Sequence, residues 1–148
     1  MNFKGTVTIH APRKKVWDFL TSAEQMSDCA PGLEKLEILE PNEKFRATAS
    51  IGFGAVKATF VTDAQWMGLD APNSAKMKIH GKAPGSVVDG TSEMTLRDGD
   101  KPGDTIVDWS SEVTIAGAIA GLASRLMAPV TQKLTDSFFE NVRKKIEK

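Results

Sequence analysis

The hydrophobic and polar positions of this chain change period twice. Over residues 2–10 they alternate strictly, with Phe3, Gly5, Val7 and Ile9 on one face and Lys4, Thr6, Thr8 and His10 on the other. Alternation sends successive side chains to opposite sides of an extended backbone, so it predicts a half-buried strand. At Ala11-Pro12 the period lengthens. Val16, Phe19 and Leu20 share one helical face, and Pro12 falls in the first turn, where its missing N–H breaks no helical bond. Ser22 and Gln25 have the spacing of a capping box for a second short helix, which Cys29-Ala30-Pro31-Gly32 ends.

From Leu33 the period returns to two and stays there. Alternation predicts strands over 33–40, 44–53, 55–66, 75–81, 86–96 and 105–115, separated by turns rich in Gly, Asp, Asn and Pro, with Gly52 and Gly54 at a turn or bulge. Phe45, Ala47, Ala49 and Ile51 share a face, as do Ala58, Phe60, Thr62, Ala64 and Trp66. So do Ala75, Met77 and Ile79, then Val88, Ser92, Met94 and Leu96, then Val107, Trp109, Ser111, Val113 and Ile115. Consecutive strands without intervening helices make an antiparallel sheet. A last helix is predicted over 117–147, where Leu122, Leu126, Val130, Leu134, Phe138, Val142 and Ile146 recur every fourth residue. That line drifts by about 40° per step. A kink at Pro129 is the expected remedy, because proline removes one backbone bond and clashes with the preceding turn. Lys144 and Lys145 suit the negative end of the helix dipole.

The predicted class is therefore α+β: one curved antiparallel sheet of about seven strands around a long C-terminal helix, with two short helices after the first strand. Its 148 residues are enough for one domain with a real core, and no repeat or linker divides residues 1–148. One long helix cannot cover seven flat strands, so the sheet must curl around it. Space is expected where small residues, Gly117, Ala118, Ala120, Gly121 and Ala123, line the start of the helix. An apolar cavity with a few hydroxyls, here Thr62, Ser92 and Ser111 on inward parity, is the usual form of a small-molecule site. The competing expectation is a solidly packed interior.

Charge narrows the functions. Lys+Arg and Asp+Glu both total 19, so no basic excess points to nucleic acid. A lone Cys29 forms no internal disulfide. The N-terminus lacks a charged-then-apolar leader pattern, and the small-apolar run 115–123 is under half of the roughly 20 residues a membrane span requires. A cytoplasmic location is the expectation.

Catalysis would need titratable groups facing the cavity. His10 and His80, the only histidines, fall on outward parity with Asp63, Asp89, Glu93, Asp108 and Glu112. No His, Cys or acidic cluster has metal-ligand spacing, so no metal or other cofactor is expected. Gly52-Phe53-Gly54 lacks the third glycine and following helix of a phosphate cradle. The candidate ligand-binding residues are Phe60, Trp66, Met77, Met94 and Trp109 from the strands, with Leu122, Leu126, Met127 and Val130 from the helix. The half upstream of Pro129 is the expected mouth of the pocket and the downstream half its seal. Trp17 falls off the first helix's inward face and is expected to anchor that helix. Ile119, Leu122 and Arg125 are candidates for weak contact with a membrane surface or a partner.

Three segments carry a family resemblance. They are Ala11-Pro12-Arg13-Lys14-Lys15-Val16-Trp17-Asp18-Phe19-Leu20, Ala30-Pro31-Gly32-Leu33-Glu34, and Ala116-Gly117-Ala118-Ile119-Ala120-Gly121-Leu122-Ala123-Ser124-Arg125-Leu126 followed by Phe138-Phe139. Their order resembles the SRPBCC or START-like helix-grip superfamily and, more narrowly, the carbon monoxide dehydrogenase CoxG family. Cys29 departs from it, standing where a bulkier apolar residue is common. The resemblance implies a non-catalytic accessory protein that binds a hydrophobic, quinone- or lipid-like molecule. Its implied partner is a molybdenum-containing carbon monoxide dehydrogenase or related hydroxylase, which it would couple to the inner face of the membrane. A polyketide cyclase-like enzyme of the same superfamily and an interaction module without a cavity are the alternatives.

Overall fold

Two short helices, seven strands and one long helix follow one another in the computed structural model, which describes residues 1–53 and 56–147 (the side chains of 53, 56, 122 and 123 excepted). The order is β1 (Asn2–Ile9), α1 (Arg13–Leu20), α2 (Ala23–Ser27), β2 (Leu33–Glu40), β3 (Lys44–Phe53), β4 (Val56–Asp70), β5 (Ser74–Ala83), β6 (Ser86–Asp98), β7 (Thr105–Gly117) and α3 (Ala120–Ile146). The strands form one curved antiparallel sheet in the order β1-β7-β6-β5-β4-β3-β2. Every neighbouring pair except β1 and β7 is joined by a hairpin. The excursion through α1 and α2 carries the chain from one edge of the sheet to the other.

Both short helices begin as their sequences require. Pro12, with φ −62° and ψ 150°, precedes α1, and its carbonyl accepts from Val16 N at 3.1 Å. Ser22 Oγ accepts from Gln25 N at 3.3 Å, one half of a capping box.

Several boundaries differ from the alternation. β4 continues to Asp70 through a bulge between Trp66 and Gly68, and β7 continues to Gly117, where Ala116 still pairs with Val87 and Gly117 with Ser86. Ladder bonds are made by backbone and outlast the side-chain pattern. Gly117 therefore ends a strand and does not start the helix. Its φ is +102°, and a Cβ there would overlap Gly85 O, so the close approach and the turn both require glycine. α3 starts at Ala120 without a side-chain cap of its own. Ile119 N donates instead to Ser86 Oγ at 3.1 Å, and Ala118 N to Gly85 O at 2.9 Å. From there α3 runs as one element through Pro129, which is exposed. Of the turn or bulge expected at Gly52 and Gly54, Gly52 lies within β3 and pairs with Lys57, and Phe53 pairs with Val56, whereas Gly54 and the expected strand start at Ala55 lie outside the described residues.

The solid core occupies one end of the molecule. Ile9, Val16, Phe19, Leu20, Leu96 and Val107 pack there with Val142 and Ile146 of α3, none more than 9% exposed. Trp17 joins them, although it lies off the α1 stripe. Thr105 is fully buried among these side chains, and its hydroxyl donates to Ala11 O at 2.7 Å. Arg143 ties the end of α3 to β1 through two bonds to Thr8 O, at 2.9 and 3.2 Å.

Candidate ligand-binding cavity

The sheet wall of the cavity follows from register. Trp66 pairs with Met77, Met77 with Ser92 and Ser92 with Ser111, so one row of inward side chains crosses β4, β5, β6 and β7. The next row runs from Ala75 to Met94, Trp109 and Gly5 across β5, β6, β7 and β1. Val107 continues the surface toward the core. Gly5 is needed here because Trp109 lies over it: a Cβ at that position would be 2.8 Å from the indole. The missing side chain lets a large ring lie flat against the floor.

The opposite wall is α3 downstream of Pro129. Thr131, Leu134, Thr135, Phe138 and Phe139 face the sheet, with the two phenyl rings edge to face at 5.2 Å between centroids. Leu20, Met26 and Pro31 close the end nearest α1 and α2. Together these walls border a cavity of about 360 Å³ that is open to solvent on one side. Small-molecule sites span roughly 300–1,000 Å³, and a cavity of about 150 Å³ already holds benzene. Here the helix and the sheet leave a cleft between them, although Trp66, Met94, Phe138 and Phe139 also pack against the core.

The lining is apolar apart from hydroxyls. Ser111 Oγ donates to Ser92 Oγ at 3.1 Å, and Ser92 Oγ donates to Ser110 O at 3.4 Å. Glu93 sits at the rim, but it alternates with Ser92 and Met94, and its carboxylate meets Lys76 Nζ at 3.3 Å on the outer face.

The other titratable side chains named by parity also lie outside. Arg46 donates to both Asp63 oxygens at 2.6 and 3.2 Å, which holds that carboxyl below the usual carboxylate range. Hydrogen bonds from Arg97 and Thr6 do the same for Asp108. His80 Nδ1 is 2.5 Å from Asp89 on the outer face, and His10 Nδ1 is 3.0 Å from Asp104. Among the described residues, no group of three His, Cys, Asp or Glu is placed to hold a metal.

Four of the nine sequence-derived candidates meet at this cavity: Trp66, Met77, Met94 and Trp109. Phe60 is 7% exposed and buried, Leu126, Met127 and Val130 are half-buried, and none of these four lines the cavity. The Leu122 side chain lies outside the described residues. Of the surface candidates, Ile119 is half-buried in the turn before α3 and Arg125 is exposed.

The largest correction concerns which half of α3 is used. The described cavity lies against the downstream half, expected to be a seal, because the seal itself begins only at Val142. Leu134 and Phe138 were visible on the four-residue line; Thr131 and Thr135 were hidden because hydroxyls break an apolar stripe. Met26 had no periodic signal, since a five-residue helix is too short to show one, and Pro31 lies in the turn that follows.

Comparison with known proteins agrees with this geometry. A family model for CoxG, the G component of carbon monoxide dehydrogenase, matches residues 5–147. No curated protein matches the sequence. Among solved structures, a conserved protein from Geobacillus kaustophilus is similar with a TM-score of 0.90 at 22% identity, over 99% of this chain and 95% of that one. The Zhui aromatase/cyclase from a Streptomyces species has a TM-score of 0.75 at 19% identity, covering 99% and 93%. A START superfamily protein from Mycobacterium smegmatis has a TM-score of 0.73 at 10% identity, covering 99% and 97%. Identities this low speak for the fold alone.

Proposed function

Because the chain belongs to the carbon monoxide dehydrogenase CoxG family, we propose that it is a non-catalytic carrier of a hydrophobic, quinone- or lipid-like molecule, accessory to a molybdenum-containing dehydrogenase or hydroxylase. One observation carries this reading: a cavity of about 360 Å³ with two indoles, three thioethers and two phenyl rings on its walls. Such a lining desolvates an apolar ligand and gives a flat ring aromatic surfaces to stack on. Met77 and Met94 add adaptable thioethers that follow a ligand's outline.

The fold is also that of an aromatase/cyclase. Acid–base chemistry, however, needs a proton-transfer group within reach of the substrate. The described wall offers hydroxyls, and its nearest carboxylate, Glu93, is paired with Lys76 on the far face. Holding is the better-supported role.

Delivery to a membrane-bound acceptor fits weak peripheral contact near the start of α3, where Ile119 and Arg125 stand with Leu122. Among the described residues no helix is long and apolar enough to cross a membrane. Binding there is proposed to be weak and screened by salt, so pelleting with anionic liposomes should disappear in high salt; robust pelleting in high salt contradicts it.

The deciding experiment is native mass spectrometry, with organic extraction, of protein purified from its own host. A lipid-like or quinone-like molecule bound one to one is expected. Repeated absence of such a molecule, together with no calorimetric binding of an added short-chain naphthoquinone, overturns the carrier reading.

A further inference from the structure

The serine pair on the cavity floor has a direction. Ser92 and Ser111 are ladder partners at the centre of the sheet wall, between Met77 on β5 and Phe3 on β1. Each hydroxyl carries one proton and two lone pairs. Ser111 gives its proton to Ser92 at 3.1 Å, and Ser92 gives its proton to Ser110 O at 3.4 Å. In this arrangement both protons point at protein acceptors, the second across the longer 3.4 Å contact. Ser111 Oγ, partly buried in an apolar lining, is left with acceptor capacity alone.

We propose that this pair makes the cavity selective for a neutral aromatic ligand that bears a hydroxyl, over the corresponding ether or carbonyl. The inference rests on the carrier reading and adds the ligand's chemical class. A ligand hydroxyl donates to Ser111 Oγ without disturbing the chain of bonds beneath it. An ether or carbonyl oxygen can only accept. To meet it, Ser111 must turn its proton away from Ser92, so one bond is exchanged for another and none is added. If the serines keep their arrangement, the acceptor ligand displaces the water that would otherwise satisfy Ser111 and leaves that oxygen unpaired.

The difference amounts to one neutral hydrogen bond, about three- to tenfold in affinity. For a molecule that exists in both carbonyl and hydroxyl forms, the hydroxyl form is the one retained. Charge plays no part, because the described lining carries no titratable side chain turned inward.

Three probes of nearly the same shape test this by calorimetry on the purified full chain. They are 2-naphthol (donor and acceptor), 2-methoxynaphthalene (acceptor only) and 2-methylnaphthalene (neither). The wild type should bind 2-naphthol three- to tenfold more tightly than 2-methoxynaphthalene. Ser111→Ala should erase that preference, bringing the affinities for 2-naphthol and 2-methoxynaphthalene within twofold of each other.

Ser92→Ala supplies a readout that a merely structural role would not move. It removes the acceptor for the Ser111 proton and frees that proton for the ligand. Affinity for 2-methoxynaphthalene should therefore rise, and the preference should narrow. Equal wild-type affinity for naphthol and ether, or a preference that survives Ser111→Ala, overturns this inference and leaves the carrier reading standing. Failure of all three probes to bind overturns both. Thermal melts of each variant establish that it folds.

Discussion

Replacing Gly5 by alanine tests how closely the cavity floor is built. A Cβ on Gly5 would lie 2.8 Å from Cζ2 and Nε1 of Trp109 and 2.9 Å from Cε2. Ordinary contact begins at 3.4 Å, so the indole must retreat by at least 3.4 − 2.8 = 0.6 Å, and the open side is the cavity. Forced repacking of this kind costs about 1–3 kcal/mol. Alanine returns about 0.5–1 kcal/mol because it loses less backbone entropy than glycine in a strand. A net loss of about 1 kcal/mol lowers the melting temperature by roughly 2–4 °C in a domain of this size.

The displaced ring also enters the space a ligand fills. Affinity for 2-methylnaphthalene should fall about fivefold, the equivalent of roughly 1 kcal/mol. The assay is a double-mutant cycle read by calorimetry and thermal melting. Trp109→Phe shrinks the ring, so Gly5→Ala should cost markedly less in that background, with a coupling above about 0.5 kcal/mol. Additive effects, or Gly5→Ala with unchanged melting and affinity, would refute the stacking of Trp109 on Gly5 as the basis of the floor.

Three further outcomes follow from the same geometry. Thr105→Val keeps the volume but leaves the buried Ala11 carbonyl without its donor, so urea unfolding should show a loss of about 1–3 kcal/mol. Cys29 is 1% exposed and burial pushes its thiol up, so iodoacetamide at pH 8 should label it only at the rate of unfolding; prompt labelling of native protein would contradict this placement. Asp63 and Asp108 have carboxyls depressed by their guanidinium partners, so their contribution is present above the unfolded carboxylate range, about pH 4, and is lost as pH falls through the lower folded values. Unfolding followed from pH 5 to pH 2 should therefore have a shallower acid limb in Asp63→Asn with Asp108→Asn, and the effect should be small because both pairs are exposed to solvent.

Much of the architecture was legible because period is a local property. Alternation in β1, the capping Ser22 and the four-residue line of α3 each follow from which side chains must leave water, and neighbours along the chain suffice to show it. The inward parity of Trp66, Met77, Met94 and Trp109, and the outward parity of His10, His80, Asp63 and Asp108, followed in the same way. Parity determines a face, however, and not a position along it.

Tertiary structure alone decided where along the sheet α3 leaves space. The upstream residues Leu126, Met127 and Val130 are as apolar as Leu134 and Phe138, and nothing local distinguishes a side chain that fills a core from one that faces a void. Register made that distinction: it set Trp66, Met77, Ser92 and Ser111 in one row and laid Trp109 over Gly5. The crossing of α3 then placed Thr131 and Thr135 opposite that row, and Val142 and Ile146 in the plug. These juxtapositions join residues more than a hundred positions apart, as Gly5 and Trp109 are. Packing volume is a sum over such distant partners, which is why hydrophobic pattern determined the sheet and its helix while only the assembled fold determined the cavity and its serine floor.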